Sequence, residues 1–213
     1  HNSGTLNITG TGTIRMKQLG SFTQGDQRNN AIGRMAAIVN NAGGTLNVSN
    51  GINVQAYSAF ITPSSTSATQ RYADVFMYSI AIHNSGTVNC AGKIHAGTFT
   101  AGVSNSGINS FHYAFAYGIY GGTVNVTGGT ITAEALSGAM ETTDTCEEGN
   151  HVCNFAVGVY SNQATVKGDT TINTTSTSWM SQGDRDNWGS GCNISWSVGV
   201  MYSTTNYPVI GAS

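Results

Sequence analysis

One phrase recurs along this 213-residue chain and constrains its fold more than any other feature. It reads GTLNITGTGTI at 4–14, GTLNVSNGINV at 44–54, GTVNCAGKI at 86–94 and GTVNVTGGTIT at 122–132. A looser copy, ATVKGDTTIN, occupies 164–173, and YPVIGAS at 207–213 opens like a sixth. Aligned on the apolar residue after the Asn, the copies give Ile8, Val48, Cys90, Val126, Val166 and Val209, a period of 36–43 residues. A sustained period of this length marks a stacked-repeat architecture, in which no single unit buries its apolar face alone.

Each unit contains three strand-like stretches. Strict alternation in the first two puts Leu46, Val48, Ile52 and Val54 on one face, with Asn47 and Asn53 on the other. The third stretch ends in a second signature, Ala36-Ala37-Ile38 in the first unit and Val198-Gly199-Val200 in the fifth. Stacking the units in register, about 4.8 Å apart, makes three parallel sheets around one core. Glycine pairs such as Gly128-Gly129 and Gly121-Gly122 mark the corners. The expected fold is therefore an all-β, right-handed parallel β-solenoid of about five coils, with three short strands and one long loop in each. Its hand follows the preference of parallel crossovers. Residues 1–213 read as a single domain.

Stacking also predicts columns of equivalent side chains. Asn7, Asn47, Asn89 and Asn125 form an outward amide ladder, expected to break at Lys167. Four residues before the Ile/Val anchor of the third strand stand Arg34, Tyr78, Phe115, Phe155 and Trp196, and six before it stand Ile32, Phe76, Tyr113, Cys153 and Ile194. The aromatics of 111–117 have the make-up of a sugar-stacking platform, yet their alternation suits packing in the core. Cys90 falls in the column of Ile8, Val48 and Val126, as a small buried hydrophobe would.

Between the second and third strands, residues 17–33, 56–73, 101–110, 136–152 and 177–193 read as loops lined up along one edge. They carry eleven of the chain's eighteen charges. Function on a rigid scaffold concentrates on such loops. Trp179 and Trp188, beside Asp184 and Arg185, are the ligand-binding candidates there. Glu147, Glu148, Asp184 and Asp186, with Glu141 and Asp144, are the carboxylates from which a Ca²⁺ site would be built. No EF-hand or calcium-repeat motif accompanies them, so the expectation is no cofactor. Cys146 and Cys153 bracket a polar stretch as a disulfide-closed loop would, with Cys146–Cys192 and Cys153–Cys192 as rival pairings.

Composition narrows the function further. A net charge of −2 with scattered basic residues argues against nucleic acid. No apolar run is long enough to span a membrane. Catalytic carboxylates or bases are sparse in the strand regions: Arg15, Lys93 and Glu134 lie on different coils, Lys167 and Asp169 on another, and the five histidines have no Ser or Cys partner at repeated spacing. The chain thus reads as a binding or structural surface, not an enzyme.

The phrase GTVNVTGGTIT and the x-G-I strand resemble β-helical repeats of large secreted bacterial surface proteins and adhesins, in the pectin-lyase-like fold group. That resemblance covers nearly the whole chain outside the loops. It implies an extracellular or cell-surface location and a structural or adhesive role. A glycan or a host-surface protein bound at the loop edge is the expected partner. Asn7, Asn47, Asn125, Asn173 and Asn193 each begin an N-x-S/T sequon. His1-Asn2-Ser3-Gly4-Thr5 repeats at His83–Thr87, so the chain opens within a coil. The corresponding expectation is a segment of a longer solenoid, or a subunit that stacks end to end into an extracellular filament. A polysaccharide-active enzyme is the remaining alternative.

Overall fold

The computed structural model describes residues 1–21, 29–62, 72–104, 109–141, 151–180, 193–203 and 209–210. The first repeat supplies β1 (Thr5–Ile8), β2 (Gly12–Ser21) and β3 (Asn29–Asn40), and the second β4 (Thr45–Val48), β5 (Ile52–Thr62) and β6 (Tyr72–Asn84). The third supplies β7 (Thr87–Cys90), β8 (Lys93–Ser104) and β9 (Asn109–Tyr120). The fourth supplies β10 (Thr123–Val126), β11 (Gly129–Glu141) and β12 (His151–Ser161). Then follow β13 (Gln163–Val166), β14 (Thr170–Met180), β15 (Asn193–Tyr202) and β16 (Val209–Ile210).

Strands from successive repeats pair in parallel, so the fold is a parallel β-solenoid. Sheet 1 runs β1-β4-β7-β10-β13-β16, sheet 2 runs β2-β5-β8-β11-β14, and sheet 3 runs β3-β6-β9-β12-β15. Leu46, Val54, Val88, Ile94, Val124 and Ile131 are fully buried between the sheets, and Cys90 lies among them as expected. Burial pushes the Cys90 thiol up to about 11, leaving it protonated and inert. Among the described residues no helix is long and apolar enough to cross a membrane.

Only the sheet 1 strands are short. The stretches expected to be loops are in large part strand, because β2 continues to Ser21, β5 to Thr62, β8 to Ser104 and β11 to Glu141. Apart from the end of β14 and the first residues of β3, β6, β9, β12 and β15, the rest of those stretches lies outside the described residues. Polar residues disguised the extension. Ser58 and Ser79 share a 2.6 Å hydrogen bond between sheets 2 and 3, and Thr98 donates to the Phe115 carbonyl at 2.6 Å. Ser137 bonds Asn154, whose amide donates to the Thr177 carbonyl at 2.7 Å. These hydroxyls and amides sit inside, paired, between Ala-rich strands, where a polar group without a partner would cost about 1–3 kcal/mol.

Two asparagine ladders pin the register. The expected one is present: Asn47 donates to Asn7, Asn89 to Asn47 and Asn125 to Asn89, at 2.7, 2.7 and 2.9 Å. It ends at Thr165, which pairs with Asn125, and not at Lys167. In the next strand Ile210, not Val209, pairs with Val166. The second ladder is buried at the corner between sheets 3 and 1. Asn2 donates to Asn40 at 2.8 Å and Asn40 to Asn84 at 2.7 Å. Asn84 then donates to the carbonyls of Gly121 and Thr123. In the following repeat Gly122 has φ +62, and a Cβ there would lie 2.3 Å from the Asn84 amide nitrogen. Only glycine fits that corner.

Candidate functional site: a groove across sheet 2

The outward residues of sheet 2 line up by register. Arg15, Gln55, His95 and Thr132 form one column, with Lys17, Tyr57, Gly97 and Glu134 beside it and Leu19, Ala59, Phe99 and Leu136 beyond. Gly97 leaves its column without a side chain. Above it lies an open groove of about 490 Å³, bordered by Arg15, Lys17, Tyr57, Glu134 and the apolar strip of Leu19, Phe99 and Leu136. The Tyr57 ring leans into the gap: a Cβ at Gly97 would stand 2.8 Å from its Cδ1.

A hydrogen-bonded chain crosses three strands here. The Tyr57 hydroxyl lies 2.8 Å from His95 Nδ1, and His95 Nε2 lies 2.9 Å from Glu134 Oε2. Burial raises the Tyr57 phenol above its ordinary value, against the opposing charge of Arg15 and with a smaller push from Glu134. The phenol therefore keeps its proton, and with a neutral imidazole it donates to Nδ1 while Nε2–H donates to the Glu134 carboxylate. Arg15 Nε donates to Gln55 Oε1 at 2.6 Å. Neither Arg15 nor Lys17 forms an ion pair with a described residue, so both charges remain available at the rim. Among the described residues no three His, Cys, Asp or Glu side chains gather to hold a metal ion.

None of the three central residues stood out in the sequence. Tyr57 falls in a stretch read as loop, and Glu134 reads as isolated on its own coil. The structure corrects both readings, since Tyr57 is on β5 and Glu134 accepts from His95. The contacts run diagonally, from one column to the next, so their separations of 38 and 39 residues match no column of the repeat. A search one column to the side of His95 is the signal that finds them.

The loop-edge candidates fall largely outside the described residues. Asp144, Cys146, Glu147, Glu148, Asp184, Arg185, Asp186, Trp188 and Cys192 are outside the described residues. Trp179 belongs to β14, opposite Gly138, and its side chain is outside them too. Cys153 is half-buried on β12, in register between Tyr113 and Ile194.

The aromatic columns are in register as expected, but they face outward and not into the core. His112, Ala114 and Ala116 are buried, while Tyr113, Phe115 and Tyr117 are partly exposed. Phe76 stacks on Tyr113 at 4.5 Å between centroids, Tyr78 on Phe115 at 4.4 Å, and Phe115 on Phe155 at 5.4 Å, all within 9° of parallel. A further column continues from His83 through Tyr120 to Tyr160. Because the rings stack along the solenoid axis, each interior ring spends its faces on its neighbours and turns its edge to solvent. Sugar stacking needs a free face, so the interior of these columns is not a sugar platform.

No family model matches this chain, and neither a curated protein nor a solved structure matches it.

Proposed function

We propose that this chain is an extracellular, structural and adhesive β-solenoid, non-catalytic, that holds an acidic glycan in the groove over Gly97. One observation carries the reading: two cations without an ion pair among the described residues, Arg15 and Lys17, border the same groove as an apolar strip and a polar Tyr57–His95–Glu134 rim. A guanidinium takes a carboxylate or sulfate in two parallel hydrogen bonds. Leu19, Phe99 and Leu136 supply the apolar surface against which the C–H face of a sugar ring packs. The likeness of the repeats to bacterial surface proteins and the low charge of the chain support an exterior location. Calorimetric titration with an oligouronide and a neutral oligosaccharide of equal length tests the proposal. The uronide binds more tightly, and Arg15→Ala together with Lys17→Ala removes that preference, a loss of roughly tenfold or more. Equal binding of the two, or none of either, overturns it.

The Tyr57–His95–Glu134 chain favours one second reading, acid–base chemistry on the bound saccharide. A carboxylate that orients a histidine, which in turn meets a phenol, is the arrangement a proton relay requires. Release of new reducing ends from an acidic polysaccharide, abolished by Tyr57→Phe even at polymer concentrations that saturate the variant, establishes it. An unchanged polymer after prolonged incubation with saturating protein removes it.

A further inference from the structure

The outward face of sheet 3 has a composition that solvent alone does not explain. Ile32 is 73% exposed and Trp196 54%, at opposite ends of the face, with the aromatic columns between them. Across the four columns that begin at Ile32, Arg34, Ala36 and Val39, Arg34 is the one side chain with a full charge. Its guanidinium is held over the Tyr120 ring at 5.7 Å. The columns make straight ribs, with Tyr113 and Phe115 6.3 Å apart across the furrow between two of them.

Five strands at about 4.8 Å and about eight residues at about 3.3 Å give a face of about 24 Å by 26 Å. That is roughly 600 Å² per copy and about 1,200 Å² for a pair, the lower end of a specific, stable interface. A face so nearly neutral offers a charged partner nothing to pair with. Against an identical face, however, ribs fit into furrows, and each Arg34 guanidinium is already held on a Tyr120 ring of its own copy. A two-fold contact brings the same patch from both sides, as isologous dimers do.

We propose that two copies of this chain pair side by side, sheet 3 against sheet 3, through these aromatic ribs. The contact is lateral and leaves both the groove of sheet 2 and the ends of the stack open. It is therefore distinct from end-to-end assembly, and it does not depend on the glycan reading.

Sedimentation equilibrium of the purified full chain at micromolar concentrations tests it. The wild type sediments as a dimer. Phe115→Lys, which places like charges on both halves of one interface, raises the dissociation constant roughly tenfold or more. Phe115→Glu does the same, and an equimolar mixture of the two variants recovers a dimer. Should loss of the ring disturb folding, as circular dichroism would reveal, Ile32→Lys gives the same answer from a position already in solvent. Thr132→Lys, on the outward face of sheet 2, leaves the dimer intact. A wild type that remains monomeric overturns the proposal. So does a dimer or an open-ended rod that survives both Phe115→Lys and Ile32→Lys.

Discussion

Sheets 2 and 3 are built from the same repeats with nearly the same strand lengths, yet their outer faces differ in kind. On sheet 3 the columns through Tyr78, Phe115 and Phe155 and through His83, Tyr120 and Tyr160 repeat an aromatic ring at equivalent positions, so rings stack on rings and form ribs. On sheet 2 the columns break: Lys17, Tyr57, Gly97 and Glu134 share one column but no common property. Repetition yields a cohesive surface, whereas loss of repetition yields a groove and a hydrogen-bonded chain. A stacked fold thus holds its shape with the residues that repeat and is free to do chemistry with those that do not.

The largest test of that contrast concerns what keeps sheet 3 regular. Gly118, Gly158 and Gly199 follow one another up the solenoid, each skipped by the pairing register. A Cβ at Gly158 would stand 2.4 Å from Ile172 Cγ2 and 2.7 Å from the Gly199 carbonyl oxygen. Gly158→Val should cost about 3 kcal/mol or more, because neither backbone nor core can yield. Denaturant unfolding measures it. A loss below about 1 kcal/mol would mean that the ribs do not depend on this close approach.

The same glycines explain what could and could not be read in advance. The columns were legible because register depends only on the period, and the anchors Ile38, Ile82, Ile119 and Val159 do align. The face was not. Gly118 and Ile119 are consecutive and both buried, so inward–outward alternation breaks at the glycine, in step on every strand, and the parity of everything before it is reversed. Counting back four and six from a buried anchor implies burial, and the break in alternation turns Phe115 and Tyr113 outward instead. The buried Asn2–Asn40–Asn84 ladder was hidden for another reason: Asn two or three residues before Gly reads as turn chemistry, and nothing in the sequence says that its amide points inward.

Acid should separate the interior of sheet 3 from its surface. His112 is inward and fully buried, and its Nδ1 has no hydrogen-bond partner among the described residues. Burial lowers its pKa to about 4. The unfolded chain takes up this proton near pH 6.5, the folded one only near 4. Stability is therefore complete above that window and falls as pH drops through it, by about 1.4 kcal/mol per unit. His112→Leu should flatten that slope in denaturant titrations between pH 6.5 and 4. An unaltered slope would assign the acid sensitivity to other groups.

Comparable truncations on the two outer faces should then differ in size. Phe115→Ala removes a ring held between Tyr78 and Phe155, and a loss of about 2 kcal/mol follows from lost area and stacking. Thermal melts suffice to see it.

The smallest effect belongs to the groove. Tyr57→Phe keeps the ring over Gly97 and deletes only the hydroxyl that meets His95. The site is open, so water replaces the lost donor, and the stability change should stay within about 1 kcal/mol. Glycan affinity, by contrast, should fall, because the rim loses the fixed orientation that the phenol imposes on the imidazole. Melting and calorimetry on the same sample read both quantities. If Tyr57→Phe instead destabilised the chain as much as Phe115→Ala, the Tyr57–His95–Glu134 chain would be another rib holding three coils together, and the functional distinction between the two faces would fail.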